Sequence, residues 1–151
     1  MSIMKTAGGF LAAAAIALIA ASSAATPGFA KDTDLKFRCK AKGTNHIAIH
    51  ARYEERVRSK GLRQKFSAEF EAKPAAGFTN NQQIAIVVDD IVVGTVTLSP
   101  APSGELSGEL QFDSKVEGNH TPFPANFPDV AAGSMVEARN GATTILGCEL
   151  N

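Results

Sequence analysis

The amino-acid sequence predicts an all-β fold, a small antiparallel sandwich or barrel of about 7–8 strands in hairpin order. Two observations carry that prediction. Apolar and polar residues alternate with period two through residues 47–71, and turn-forming pairs recur between short apolar runs at Ser59-Lys60, Asp89-Asp90 and Asn140-Gly141. Side chains alternate across a strand, so such a chain makes half-buried antiparallel pairs.

The elements follow in order. Residues 35–40 read as a first strand with Leu35, Phe37 and Cys39 on one face, and 41–45 as a turn containing Gly43. In the next strand Ile47, Ile49, Ala51, Tyr53 and Val57 share the core face; His50, Arg52, Glu54, Arg56 and Arg58 share the outer one. Past Ser59-Lys60, Leu62, Phe66, Ala68 and Phe70 face inward and Arg63, Lys65, Ser67, Glu69 and Glu71 outward. Folding at that turn sets Tyr53 opposite Phe66, Ile49 opposite Phe70, Glu54 opposite Lys65 and His50 opposite Glu69. A one-residue slip would set apolar groups against charges, so the pattern fixes the register. A helix competes over residues 53–66, where Glu54 and Arg58 form a favourable i,i+4 pair. Gly61 would cost that helix about 1 kcal/mol, and the alternation runs well beyond it.

Residues 84–88 and 91–98 make a second hairpin, turning at Asp89-Asp90 and apolar on both faces. After Pro100 and Pro102 the tetrapeptide Ser-Gly-Glu-Leu occurs twice in succession, at residues 103–110. A period of four preserves the face of a strand, so the repeat predicts one strand with Leu106, Gly108, Leu110 and Phe112 inward. Residues 135–139 and 142–150 make a third hairpin, with Asn140-Gly141 as a type I′ turn. Val136 should then face Ile145, and Met135 should face Leu146.

Residues 1–30 read as a secretory signal peptide of bacterial type, and residues 31–151 as a single domain. Lys5 supplies the positive start, residues 10–21 the apolar run, and Gly28 and Ala30 the small residues before a cut after Ala30. The run is short for the ~20 residues of a membrane span. The expected location is therefore periplasmic or extracellular. In such an oxidising compartment the two cysteines, Cys39 and Cys148, are expected to form a disulfide bond. A redox-active pair is disfavoured, because it would have close C-x-x-C spacing.

The formal charge is zero, with 15 basic and 15 acidic residues, but it is unevenly spread. Residues 31–65 hold eleven basic and four acidic side chains, whereas residues 66–151 hold three and eleven. In the simpler reading, neighbouring strands neutralise one another. In the sharper one, Arg52, Arg56, Arg58, Arg63 and Lys65 form a face for an anionic glycan or lipid surface. Nucleic acid is a poor fit, since the nearby aromatics Tyr53 and Phe66 belong to the core side.

No catalytic or phosphate-binding motif is present, and no cofactor is expected. His46 and His50, four apart on a strand, would be about 13 Å apart and unable to share a metal. Residues 114–134 form the longest irregular stretch, with Pro122, Pro124, Pro128, Phe123 and Phe127. Its phenylalanines should close one end of the core as a lid. Long loops also carry sites, here with His120, Phe123 and Phe127 as candidates, so a second reading is a small hydrolase or metal-dependent enzyme centred on His120 and the 114–134 loop. There Ser114, Glu117 or Asp129 would approach the histidine. A third reading is a homo-oligomer formed through the doubly apolar 84–98 hairpin. The leading expectation is a non-enzymatic exported binding or structural module.

Overall fold

The computed structural model describes residues 33–117 and 120–151. The leader and its cut after Ala30 lie outside the described residues. Nine strands occur among them: β1 (Thr33–Lys42), β2 (Ala48–Arg58), β3 (Gly61–Ala72), β4 (Gln83–Val88), β5 (Ile91–Thr97), β6 (Ser99–Pro100), β7 (Leu106–Asp113), β8 (Met135–Asn140) and β9 (Thr143–Glu149). They form two antiparallel sheets, one ordered β1-β2-β3-β7-β6 and the other β5-β4-β8-β9. The architecture is sandwich-like and all-β, as the alternation predicts.

The core lies between the sheets. Ile49, Tyr53, Phe66 and Phe70 enter from the five-stranded sheet; Ile84, Ile86, Val88, Val96 and Val136 enter from the other. Chain connections close the sandwich at two sides. Leu98, fully buried, carries the chain from β5 in one sheet to β6 in the other. Beside this crossing, Gly108 has no Cβ because a Cβ there would sit 2.9 Å from the Thr97 carbonyl oxygen. On the opposite side Arg38 and Asn151 exchange backbone hydrogen bonds of 3.0 and 3.2 Å. The Cys39–Cys148 disulfide joins β1 to β9 at that same seam.

The 47–71 hairpin has the expected register at every paired position, including Tyr53 opposite Phe66 and Ile49 opposite Phe70. The competing helix is absent. β1 is longer than residues 35–40, because its whole length pairs with β2. Leu35 faces inward by alternation but stays 47% exposed, near the turn end of the hairpin, where Leu62 is also exposed. Asp89 and Asp90 take φ of 45° and 65°, the positive values a type I′ turn requires.

Three expectations change. β8 and β9 turn at Gly141-Ala142, not at Asn140-Gly141, since Asn140 pairs with Thr143. Gly141 alone has positive φ, 60°, at the first turn position, where a type II′ turn favours glycine. A bulge beside Ala138 then shifts the register again, so Val136 meets Cys148 and Met135 meets Glu149. The bulge brings Cys148 to the inner face opposite Val136, where it reaches Cys39, and the same inversion turns Leu150 into the core. Second, the doubled tetrapeptide does not lie in one strand. Its first copy is in a turn closed by the bond from the Ala101 N–H to the Glu105 carbonyl, 2.8 Å, and β7 starts at Leu106. Third, the doubly apolar hairpin is mostly consumed within the chain. Ile84, Ile86 and Val88 face the core, and a bulge at Ile86/Val87 leaves Val87 opposite Val92. Val87 is itself buried on the face that carries the Glu137–Arg139 pair, leaving Val92 as the large exposed side chain.

Candidate ligand-binding face

The outer face of the five-stranded sheet carries the polar side chains that alternate with the core residues. Three adjoining cavities lie on it. The largest, about 800 Å³, is a groove bordered by Arg38, Lys40, His50, Arg52, Ser67, Glu69, Glu109 and the disulfide seam. A second of about 280 Å³ continues it past Ser67 and Gln111 to Asp113 and His120. A third of about 490 Å³ extends toward Lys42, His46 and Glu71.

Strand register arranges this face in transverse rows. One row reads Lys40, His50, Glu69, Glu109 across β1, β2, β3 and β7. The next reads Arg38, Arg52, Ser67, Gln111, and a third reads Lys36, Glu54, Lys65, Asp113. Alternation thus brings the five basic residues singled out in the sequence to one face, and each has a carboxylate beside it. Arg52 and Arg56 both pair with Glu54, which they cover so well that it is only 6% exposed. Arg58 meets Asp34 at 2.7 Å. Arg63 grips Asp113 with two parallel bonds of 3.1 and 2.7 Å and also reaches Glu117 at 3.3 Å. Lys65 meets Asp113 at 3.3 Å.

The cations without such partners are elsewhere. Lys36, Arg38, Lys40 and Lys42 point outward from β1, are exposed, and make no ion pair among the described residues. Same-face residues of a strand are about 6.8 Å apart, so the four cations form a stripe about 20 Å long. Glu69 and Glu109, directly opposite each other on β3 and β7, likewise have no basic partner within ion-pair distance. Glu109 accepts a 2.6 Å bond from the Gln111 amide. Burial and the neighbouring Glu71 and Glu109 carboxylates raise the Glu69 pKa, with His50 opposing them.

Asp113 is the electrostatic anchor of the face. Its side chain is 1% exposed, shielded by the long side chains of Arg63 and Lys65 themselves. The Arg63 guanidinium chiefly holds its carboxyl far below the usual carboxylate range, against the opposing effect of burial; the Lys115 N–H and Lys65 add to it. A carboxyl with a lower pKa folded than unfolded stabilises the fold above its unfolded value near 3.9 and loses that contribution as pH falls. Asp113→Asn should therefore lower stability by about 2 kcal/mol at pH 7. The gap to wild type should shrink steadily below about pH 4. Urea titrations from pH 2 to pH 7 measure it, and a gap that stays constant in acid would show that charge is not the cause.

The long 114–134 stretch divides between two roles. Phe123 and Phe127 close the end of the core as a lid, with Phe127 edge-on to Phe66 at 5.2 Å and Phe123 5.6 Å from Phe112. A small cavity of about 180 Å³ beside them touches Tyr53, whose hydroxyl donates to Glu55 at 3.2 Å and accepts from Gln64 at 2.8 Å. Burial and then Glu55 push that hydroxyl up to about 12. His120 is separate from this lid and lies in the groove, its Nδ1 3.5 Å from Asp113 Oδ2. Of the residues expected to approach it, Ser114 instead accepts a 2.9 Å bond from the Gln64 N–H and Glu117 pairs with Arg63. Ser67 shares the cavity with His120, yet no hydrogen bond joins His120 to a hydroxyl among the described residues. His46 lies in a 3-10 turn rather than on the strand with His50. Among the described residues no group of three His, Cys, Asp or Glu side chains is placed to hold a metal ion.

The β1 stripe lies outside the basic face expected from the sequence, which consists of residues of the β2–β3 hairpin only. The signal was present: Lys36, Arg38, Lys40 and Lys42 fall at every second position. Comparison with known proteins finds no matching family model, no similar curated protein and no similar solved structure.

Proposed function

We propose that this chain is an exported, non-enzymatic binding module that takes a linear anionic partner along the β1 edge of its outer groove. The observation that carries this reading is the contrast in pairing. The basic residues toward the middle of the sheet are matched with carboxylates, whereas the four cations of β1 are not. An unpaired row of cations at regular spacing creates a local positive potential on a chain of no formal net charge. The predicted leader supports export, and the Cys39–Cys148 bond agrees with an oxidising compartment. A groove suits a linear polyanion, such as an anionic glycan, better than a flat lipid surface.

The test is charge reversal. Lys36→Glu, Arg38→Glu and Lys40→Glu together should weaken binding to an immobilised sulfated polysaccharide by at least about 100-fold, counting roughly 1 kcal/mol for each of the three cations lost. The wild-type interaction should weaken steeply with salt. Vesicles with anionic headgroups form the second arm, and tighter binding there would move the partner from glycan to membrane. The proposal fails if the triple variant binds both as well as wild type does, or if wild type binds neither.

A further inference from the structure

All three histidines of the chain border the same face. His50 lines the main groove, His46 the cavity that extends it past Lys42, and His120 the cavity that ends at Asp113. Two of them stand at the Lys40–Lys42 end of the β1 stripe. His50, half-buried on β2, is directly opposite Lys40 of β1 on one side and Glu69 of β3 on the other. Arg38 and Lys42 flank Lys40, Arg52 follows His50 on its own strand, and Glu71 follows Glu69. Glu109 of β7 and Glu149 of β9 complete the charged border of the groove. His46, exposed in its 3-10 turn, shares its cavity with Lys40, Lys42, Glu71 and Glu105. Neither of these two imidazoles makes a hydrogen bond or ion pair among the described residues.

We infer that His46 and His50 make the polyanion site pH-dependent, tightening its hold as they gain protons in mild acid. This rests on the polyanion reading and adds its regulation. Histidine is the side chain that ordinarily changes charge between pH 5 and 8. With His50 neutral, the row across the groove runs from the Lys40 cation to two carboxylates, which repel an anionic chain lying on β1. Protonated, His50 places a second cation one strand spacing, about 5 Å, from Lys40 and directly beside Glu69. It then both attracts the ligand and screens the repelling carboxylate. His46 does the same at Lys42, against Glu71 and Glu105. Burial and the Glu71 and Glu109 carboxylates favour loss of the Glu69 charge in the same pH direction, while a charged His50 opposes that loss. His120 serves as an internal control. Its Nδ1 faces Asp113 at 3.5 Å. Asp113 is three strand spacings, about 14 Å, from the β1 stripe, beyond the screening length of about 8 Å at physiological salt.

The test measures binding of the full chain to the immobilised sulfated polysaccharide at pH 7.5 and pH 5.5, at constant physiological salt. Sulfate esters stay ionised across that range, so only the protein changes charge. Two cations gained should tighten wild-type binding by about 25-fold, about fivefold for each. His46→Gln with His50→Gln should remove most of that gain, whereas His120→Gln should keep it. His50→Lys makes the charge permanent and should bind about fivefold more tightly than wild type at pH 7.5. The switch is overturned, with polyanion binding left standing, by a flat wild-type profile or by a gain that survives in the double glutamine variant. A gain lost in His120→Gln, or a His50→Lys variant that binds no more tightly than wild type at pH 7.5, overturns it as well. Failure of the wild-type protein to bind at either pH overturns both readings.

Discussion

Cys39→Ala with Cys148→Ala should lower the stability of the protein by about 4 kcal/mol, with little change in the folded structure. The bridge joins residues 109 positions apart, so it closes nearly all of the described chain. Its main effect in the chain-entropy view is on the unfolded state, which loses more freedom the longer the loop it must hold closed. The native seam has other ties. Arg38 and Asn151 exchange two backbone hydrogen bonds there, and β1 pairs with β2 along its whole length. Those contacts should hold β1 in place without the sulfurs. The expected result is therefore a midpoint lowered by roughly 15 °C, together with near-native amide spectra below it. Thermal and urea unfolding of the double variant measure the loss. A second readout separates two roles for the bridge. If it only restrains the unfolded chain, the stripe from Lys36 to Lys42 keeps its spacing and polyanion affinity is unchanged at low temperature. If the bridge also seats β1 against β9, affinity falls while the protein is still folded. A loss below about 1 kcal/mol would mean that the unfolded chain is already compact enough to make the loop easy to close.

What the sequence disclosed depended on how local each interaction is. The Tyr53–Phe66 and Ile49–Phe70 pairs lie on one hairpin, where a short turn and an apolar face leave one register. The β8–β9 hairpin is equally local, but bulges do not announce themselves by composition. One extra residue at Ile145 inverted the faces beyond it, turning Cys148 toward Cys39 and Leu150 into the core. The same held for Val92, which the bulge in this hairpin sets opposite Val87 on the outer face, leaving Val93 to enter the core. Non-local pairing was hidden altogether. Asp113 could be placed on the outer face, yet its partner Arg63 is fifty residues earlier, and the two meet only because β3 lies beside β7. The neutralised reading of the basic hairpin residues needed no long-range information for Arg52 and Arg56, since Glu54 lies two residues from each on the same face, which was readable from the alternation.

Phe66→Ala should cost about 3–5 kcal/mol, comparable to losing the disulfide but through the folded state. Phe66 is 1% exposed at the centre of β3. It stacks on Phe112 of β7 at 6.2 Å and receives the edge of Phe127 at 5.2 Å. Truncation removes the apolar surface of a whole ring and leaves a cavity that two sheets cannot readily close. It also removes one wall of the seat in which the lid rests. Phe127 retains Phe112 and Phe123 as neighbours, at 5.8 and 4.7 Å, so the lid should loosen rather than detach. Phe127→Ala should therefore cost less, since that ring is only half-buried. The two losses should not add. With Phe66 already gone, removing Phe127 forfeits one contact fewer, and the double variant should be about 1 kcal/mol more stable than the sum predicts. Urea unfolding of the two single variants and the double variant closes the cycle. Full additivity would mean that the lid is held by Phe112 alone, and that its docking is independent of the hairpin that seeds the core.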